Sequence, residues 1–265
     1  LADLDALPIT DNTAVTGCDF AADGNVMHAC RHDGHAANLL NLARMIGPKS
    51  DVPVRFIFQY GEEGIGGSVD MIESGVLDGV SEIYALHLCP ELEEGKVGYC
   101  YGGMFAGCIE FDMVVNGIAS HCAMPDKGAD AIGASLFIAE RAKAAAKSRE
   151  LLFNLGKITG GAARNIIADN CKCEYTMRYY ETGKAEATML DIERAAIESD
   201  KLFGTTHDLI TNEVYPPLVN HALCVDKVRK LMGESAVEMP ARNTAEDFSN
   251  YLLKVPGCMV WLGIK

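Results

Sequence analysis

Positive charge is scarce in this chain: 23 Lys and Arg face 37 Asp and Glu over 265 residues, a formal net charge of −14. Such a balance cannot displace counterions from a phosphate backbone, which excludes nucleic acid as a partner and disfavours an anionic membrane surface. No apolar run approaches the roughly 18 residues of a membrane span. The opening stretch LADLDALPIT carries neither a basic segment nor a signal-type apolar core. Paired C-x-x-C spacing is missing, which argues against a purely structural zinc module. Internal repeats and low-complexity linkers are absent as well. What is present is 49% hydrophobic and 23% charged residues, the composition of a soluble globular protein with one large or two medium domains. The ten cysteines are unevenly spread, and Cys171 and Cys173 fall within strand-like text. Reduced thiols of a cytoplasmic protein fit this pattern better than a secreted disulfide framework.

Hydrophobic patterning predicts an α/β texture at both ends of the chain. DVPVRFIFQY (51–60) and SEIYALHL (81–88) read as strands, apolar enough to be buried on both faces of a parallel sheet. GGSVDMIESGVL has helical spacing, and HAANLLNLARMIG places Ala36, Leu39, Leu40 and Ala43 on one helical face, ended by Gly47 and Pro48. Near Gly102–Gly103 the texture changes. A long strand (MFAGCIEFDMVVNG), a helix, two strands, a second helix and a final strand (HDLITNEVY) follow one another. This βαββαβ order belongs to a ferredoxin-like sandwich. The expected organisation is therefore an α/β domain (1–103 and 217–265) interrupted by an α+β domain (104–216).

Chemistry-bearing residues gather in a few short stretches. MHACRHDGH alternates His28, Cys30 and His32, which an extended backbone would project from one side. Asp3 and Asp5 lie in LADLDALP, Glu62 and Glu63 follow a predicted strand in QYGEEG, and His87 sits near the end of the next strand. Ligands of open α/β sheets collect beyond the carboxyl ends of the strands, where these stretches can meet. Each alone has a plainer explanation. His87 reads as a core histidine, the Glu pair as solvated surface, Cys30 as a small apolar residue, and Asp33 as a helix N-cap.

Taken in order, ADLDALPI, MHACRHDGH, FQYGEEG, ALHLCP, GIASHCAMP, ITGGAARNIIAD, YPPLVN and EDFSNYL resemble the amidohydrolase branch of the aminoacylase/carboxypeptidase metallopeptidase superfamily. That branch includes N-acyl-amino-acid amidohydrolases, hippurate hydrolases and auxin-conjugate hydrolases. The resemblance implies a di-metal mixed sheet flanked by helices, with an inserted ferredoxin-like lid that dimerises. It implies Cys30, His32, Glu63 and His87 as ligands of two divalent ions (zinc, manganese, cobalt or nickel) and Glu62 as general base. Asp5 would orient a ligand imidazole, His121 would donate to a developing oxyanion, and Asn165 would face the substrate. Arg178 is either a substrate anchor or a sheet-face cation. The implied reaction is hydrolysis of N-acyl amino acids or small peptides, by a homodimer with no nucleic-acid or membrane partner.

The pattern breaks in places. Relatives read HACGHDGH, whereas Arg31 stands here for the glycine. If that site needs a left-handed backbone, arginine bears about 1–2 kcal/mol; its side chain is expected to point away and to pair with an acidic neighbour. The family pattern also extends beyond both ends of this text and includes a further histidine ligand past WLG, so the chain reads as a segment of something longer. Glu246 and Asp247 are the nearest substitutes, or else an acidic helix start. These breaks leave a non-catalytic homologue of the same fold as the alternative.

Overall fold

The computed structural model describes residues 1–11, 17, 24–64 and 66–265. In chain order the first unit contributes β1 (Ala2–Asp3), α1 (His32–Ile46), β2 (Phe58–Gln59), α2 (Gly67–Glu73), β3 (Ile83–Cys89), β4 (Val97–Tyr99) and β5 (Gly102–Phe105). The second runs through β6 (Gly107–Asn116), β7 (Ser120–His121), α3 (Ala131–Ser148), β8 (Leu152–Gly160), β9 (Ile166–Ile167), β10 (Asn170–Tyr179), α4 (Thr182–Phe203) and β11 (Thr206–Tyr215). The chain then returns to the first unit with β12 (Leu218–Asn220), α5 (Ala222–Met232), β13 (Ala236–Glu238), α6 (Ser249–Leu252) and β14 (Gly257–Gly263). The compact units are Leu1–Met104 with Leu218–Arg242 and Glu246–Lys265, and Phe105–Pro217 with Asn243–Ala245.

In the first unit the sheet order is β13-β4-β14-β3. Strand β14 runs parallel to β3, with Trp261 opposite His87, and antiparallel to β4. The sheet is thus mixed, and burial is deepest on β14, where Cys258, Met259 and Trp261 are buried, while β3 keeps Tyr84 exposed. A separate parallel pair aligns β1 with β2, setting Asp3 opposite Gln59.

The second unit is built on an antiparallel sheet of order β11-β6-β10-β8, the strand order 4-1-3-2 of the βαββαβ pattern. Period-two alternation on β10 buries Cys171, Cys173, Tyr175, Met177 and Tyr179 in one core with Phe111 and Met113 of β6. Ala134, Ile138 and Ala142 of α3 and Ala185, Ile192 and Ala196 of α4 complete that core. Asp130 starts α3 by accepting the N–H groups of Ile132 and Gly133, both at 3.1 Å. The opposite sheet face carries Asp112, Lys172 and Lys157 in ion pairs.

Some sequence expectations change. Of 51–60 only Phe58–Gln59 forms a strand, because a ladder exists only where Ala2–Asp3 lies alongside; Val52 and Val54 are exposed. The long strand expected from Met104 to Gly117 breaks into β5 and β6 at Ala106, whose N–H bonds to Thr244 O at 3.0 Å. Helix α1 does not bury its leucine stripe: Leu40 is 50% exposed, and the buried side chains are His32 and His35. All nine cysteines among the described residues are free, and none of the described helices is long and apolar enough to cross a membrane.

Candidate metal centre

Position 31 sets the local geometry. A pair of hydrogen bonds between Leu7 and Met27 pins the approach, after which the chain turns instead of staying extended. Arg31 is the N-cap of α1 with φ 71° and ψ 26°, the left-handed conformation that glycine adopts freely. Its carbonyl accepts from Gly34 and His35, and its own N–H donates to His28 O. The turn sends His28 outward to the Asp5 carbonyl and folds His32 inward on the first turn of α1. Asp33 is an exposed residue of that first turn and not the cap. Arg31 forms no ion pair among the described residues, so the expected acidic partner is not found there.

Cys30, His32 and His87 place donor atoms within 4.8 Å of one another, and so do His32, Glu62 and Glu63. Hydrogen bonding orients both imidazoles. His32 Nδ1 lies 3.0 Å from Asp5 O and 3.1 Å from Asp5 Oδ1, both acceptors, so Nδ1 carries the proton and Nε2 presents a lone pair. His87 Nδ1 likewise donates to Leu88 O at 2.9 Å, leaving Nε2 3.5 Å from Cys30 Sγ. His32 Nε2 is buried with no hydrogen-bond partner among the described residues, 3.9 Å from Glu62 Oε2. A buried lone pair among a thiol and carboxyl groups is what a borderline divalent cation fits. Asp5 also accepts the Glu63 N–H at 2.8 Å, so one carboxylate fixes an imidazole and the Glu63 backbone together.

Electrostatics point the same way. Burial pushes the Cys30 thiol far up, reinforced by Glu63 and Glu62. Burial and the neighbouring Asp3, Glu63, Asp247 and Asp5 push Glu62 up to about 9. Burial and His35 pull His87 down to about 4, which favours its neutral form. In each case burial is the largest cause, and it favours the uncharged form of the group.

One buried histidine, His35, stands outside the set expected from the sequence. It lies one turn beyond His32; its Nε2 accepts the Leu88 N–H at 3.1 Å, and its ring sits 4.6 Å from that of His87. Its Nδ1 faces Asp3 Oδ2 at 3.6 Å. The i, i+3 spacing in HDGH was the available signal. Asp3, Glu246 and Asp247 form a further buried acidic group. Glu246 accepts the Phe248 N–H at 3.2 Å at the start of α6. Burial, with Glu62 and Asp3 beside it, raises the Glu246 carboxyl well above the usual range.

The remaining expected residues belong to the second unit. His121 is exposed on β7, its Nδ1 accepting the Ala123 N–H at 3.1 Å. Asn165, exposed just before β9, accepts the Cys122 N–H through its carbonyl at 3.0 Å, next to the β7–β9 pair that sets His121 opposite Ile166. Arg178 lies on the sheet face opposite the helices, 3.9 Å from Glu110.

Known proteins resemble this chain throughout. It is 31% identical to an N-acetyl-L-cysteine deacetylase of Bacillus subtilis over 99% of its own length and 65% of the relative's. It is 33% identical to an N-acetyldiaminopimelate deacetylase of Exiguobacterium sibiricum over 99% of this chain and 73% of that one. The chain thus spans about two thirds of the length of such relatives. Among solved structures, the Bacillus subtilis YXEP protein, a dinuclear metal binding peptidase, superposes with a TM-score of 0.84 at 28% identity, over 99% of this chain and 70% of that one. A chain from methicillin resistant Staphylococcus aureus superposes with a TM-score of 0.91 at 30% identity and the same coverage. The model of peptidase family M20/M25/M40 matches residues 1–265, and the protein belongs to that family.

Proposed function

We propose that the protein is a metal-dependent amidohydrolase that cleaves the amide bond of N-acyl amino acids or small peptides. The observation that carries this is the buried Nε2 of His32, unpartnered among the described residues, beside Cys30, His87, Glu62 and Glu63. On this reading Cys30, His32, Glu63 and His87 hold two divalent cations, with zinc, cobalt, nickel and manganese all compatible with the donor set. Bound there, the ions supply Lewis acidity toward the amide carbonyl and make water a better nucleophile at neutral pH.

The chain's own residues do the rest. Glu62 takes the proton of the attacking water and delivers it to the departing amine, a role for a carboxyl group near the ligands but not among them. Asp5 holds the His32 ring by its Nδ1–H and keeps Nε2 aimed inward. His121 supplies a hydrogen bond to the developing oxyanion and Asn165 one to the substrate. Arg178, engaged with Glu110 on a sheet face, serves as a structural cation. A homodimer formed through the second unit lets His121 of one copy serve the site of another. The non-catalytic alternative is not favoured, because the donors converge even with arginine at position 31.

Metal analysis combined with hydrolysis of hippuryl and N-acetyl amino acids tests the reading. The expected result is up to two ions per chain and cleavage that a chelator abolishes. Absence of bound ions after incubation with excess zinc or manganese would refute it.

A further inference from the structure

The carboxylate pair Glu62–Glu63 stands on a short turn between β2 and α2. Both ends of that turn are tied to a single side chain lying far away in sequence. Asp247, fully buried, accepts from Gln59 Nε2 at 2.8 and 2.9 Å and from the Ser68 N–H at 3.0 Å. Gln59 is the last residue before the turn, and Ser68 is in the first turn of the helix after it. Tyr251 O–H donates to Gln59 Oε1 at 2.8 Å, which fixes the amide orientation, and Asn250 Nδ2 donates to Ser68 Oγ at 3.0 Å. Within the turn, Gly67 N–H closes on Gly61 O at 3.1 Å, and a Cβ at Gly67 would meet Tyr60 O at 1.7 Å.

We infer that Asp247 is a positioning residue: by holding Gln59 and Ser68 together it sets the span of the turn and thereby the placement of Glu62 and Glu63 at the centre. The mechanism described above makes no use of Asp247, and its burial without a basic partner among the described residues is costly unless its hydrogen bonds serve an arrangement. The carboxylate accepts Gln59 through both oxygens and Ser68 N–H through one of them, whereas an amide in its place would set its own NH2 group against that of Gln59. The link to catalysis rests on the amidohydrolase reading; the clamp itself does not.

The experiment uses Asp247→Asn, the exchanged pair Gln59→Glu/Asp247→Asn, and Tyr251→Phe. Asp247→Asn turns one acceptor into a donor that opposes Gln59 or Ser68. The exchanged pair keeps the bonds to Ser68 and Tyr251 and replaces the two contacts between positions 59 and 247 with a single bond reversed in direction. There the introduced amide donates to one oxygen of the introduced carboxylate, and Tyr251 donates to the other. The amide's own carbonyl oxygen still accepts the Ser68 N–H. Tyr251→Phe removes a single donor, and so supplies a milder variant should Asp247→Asn fail to fold.

Hydrogen exchange by mass spectrometry on metal-free protein is expected to show on the order of tenfold faster exchange around Ser68 in Asp247→Asn. Tyr251→Phe should show a smaller increase there, and peptides of β3 and β10 should be unchanged in both. Titration with Co2+ alone should show weaker binding and an altered visible spectrum in Asp247→Asn, with both restored in the exchanged pair. Unchanged exchange near Ser68, or an exchanged pair as impaired as the single variant, overturns the inference. Parallel loss of protection in every peptide also overturns it, because the residue is then a general stabiliser. If the parent chain binds no Co2+, the hydrolase reading falls while the exchange results still decide the clamp.

Discussion

Replacing Arg31 with glycine isolates the cost of the left-handed backbone at the start of α1. At φ 71° and ψ 26°, a residue with a Cβ bears about 1–2 kcal/mol that glycine does not. Glycine gives back about 0.5–1 kcal/mol through the larger backbone entropy it loses on folding. The net expectation for Arg31→Gly is a gain of about 0.5–1 kcal/mol, or about 1–4 °C in the thermal midpoint of a domain this size. Arg31→Ala is the control. Alanine meets the same left-handed penalty, and Arg31 makes no ion pair among the described residues, so the midpoint should stay with the parent's. Because the backbone already holds Cys30 and His32 in place, Co2+ affinity should change less than about threefold in either variant. A glycine variant that melts at or below the parent refutes the strain argument. An alanine variant that gains as much as glycine refutes it too, by locating the cost in the side chain.

Glu150 is the other left-handed residue among those described that is not glycine (φ 60°), and it follows α3 in a turn closed by Leu151 N–H to Ala146 O at 3.0 Å. Glu150→Gly should therefore raise the midpoint of the second unit by a similar amount, measured by thermal unfolding. His207 is lowered by its burial but raised more by its hydrogen bonds to Asp200 (2.6 Å) and Glu193 (3.2 Å), for a net upward shift. A folded-state pKa above the unfolded value of 6.5 gives stability that is complete below pH 6.5 and lost as pH rises through the folded value. His207→Gln should flatten that part of a stability–pH profile. Glu62→Gln should lower kcat by on the order of 10²–10⁴ while metal content stays at the parent level. Asp5→Asn should weaken metal affinity by about 10–100-fold, read by competition with a chelating dye.

The folding pattern was legible where periodicity and burial agree. The alternation of β10 and the small-residue face of α3 follow from local text, and the order of elements carries the sandwich. Motifs single out Cys30, His32, Glu63 and His87, but their meeting depends on strand register and on the turn at Arg31, which no local pattern encodes. His35 looked like part of a helix start, and only the inward roll of α1 makes it the partner of Leu88 and Asp3. Asp247 was hidden in the same way. An acidic pair before a helix reads as a cap, and Glu246 does accept a backbone N–H there while Asp247 reaches across to Gln59. The segment 51–57 misled because β-branched residues favour a strand only where a neighbouring strand offers a ladder.

A thiol, two imidazoles and a carboxylate that share divalent cations beside a proton-moving Glu62 form the centre of the proposed chemistry. An anomalous-scattering map of crystals grown with zinc tests this most directly. Peaks are expected about 2.0–2.3 Å from Cys30 Sγ, the Nε2 atoms of His32 and His87, and a Glu63 oxygen. A map with no peak among these atoms, in protein whose fold is otherwise intact, would contradict it.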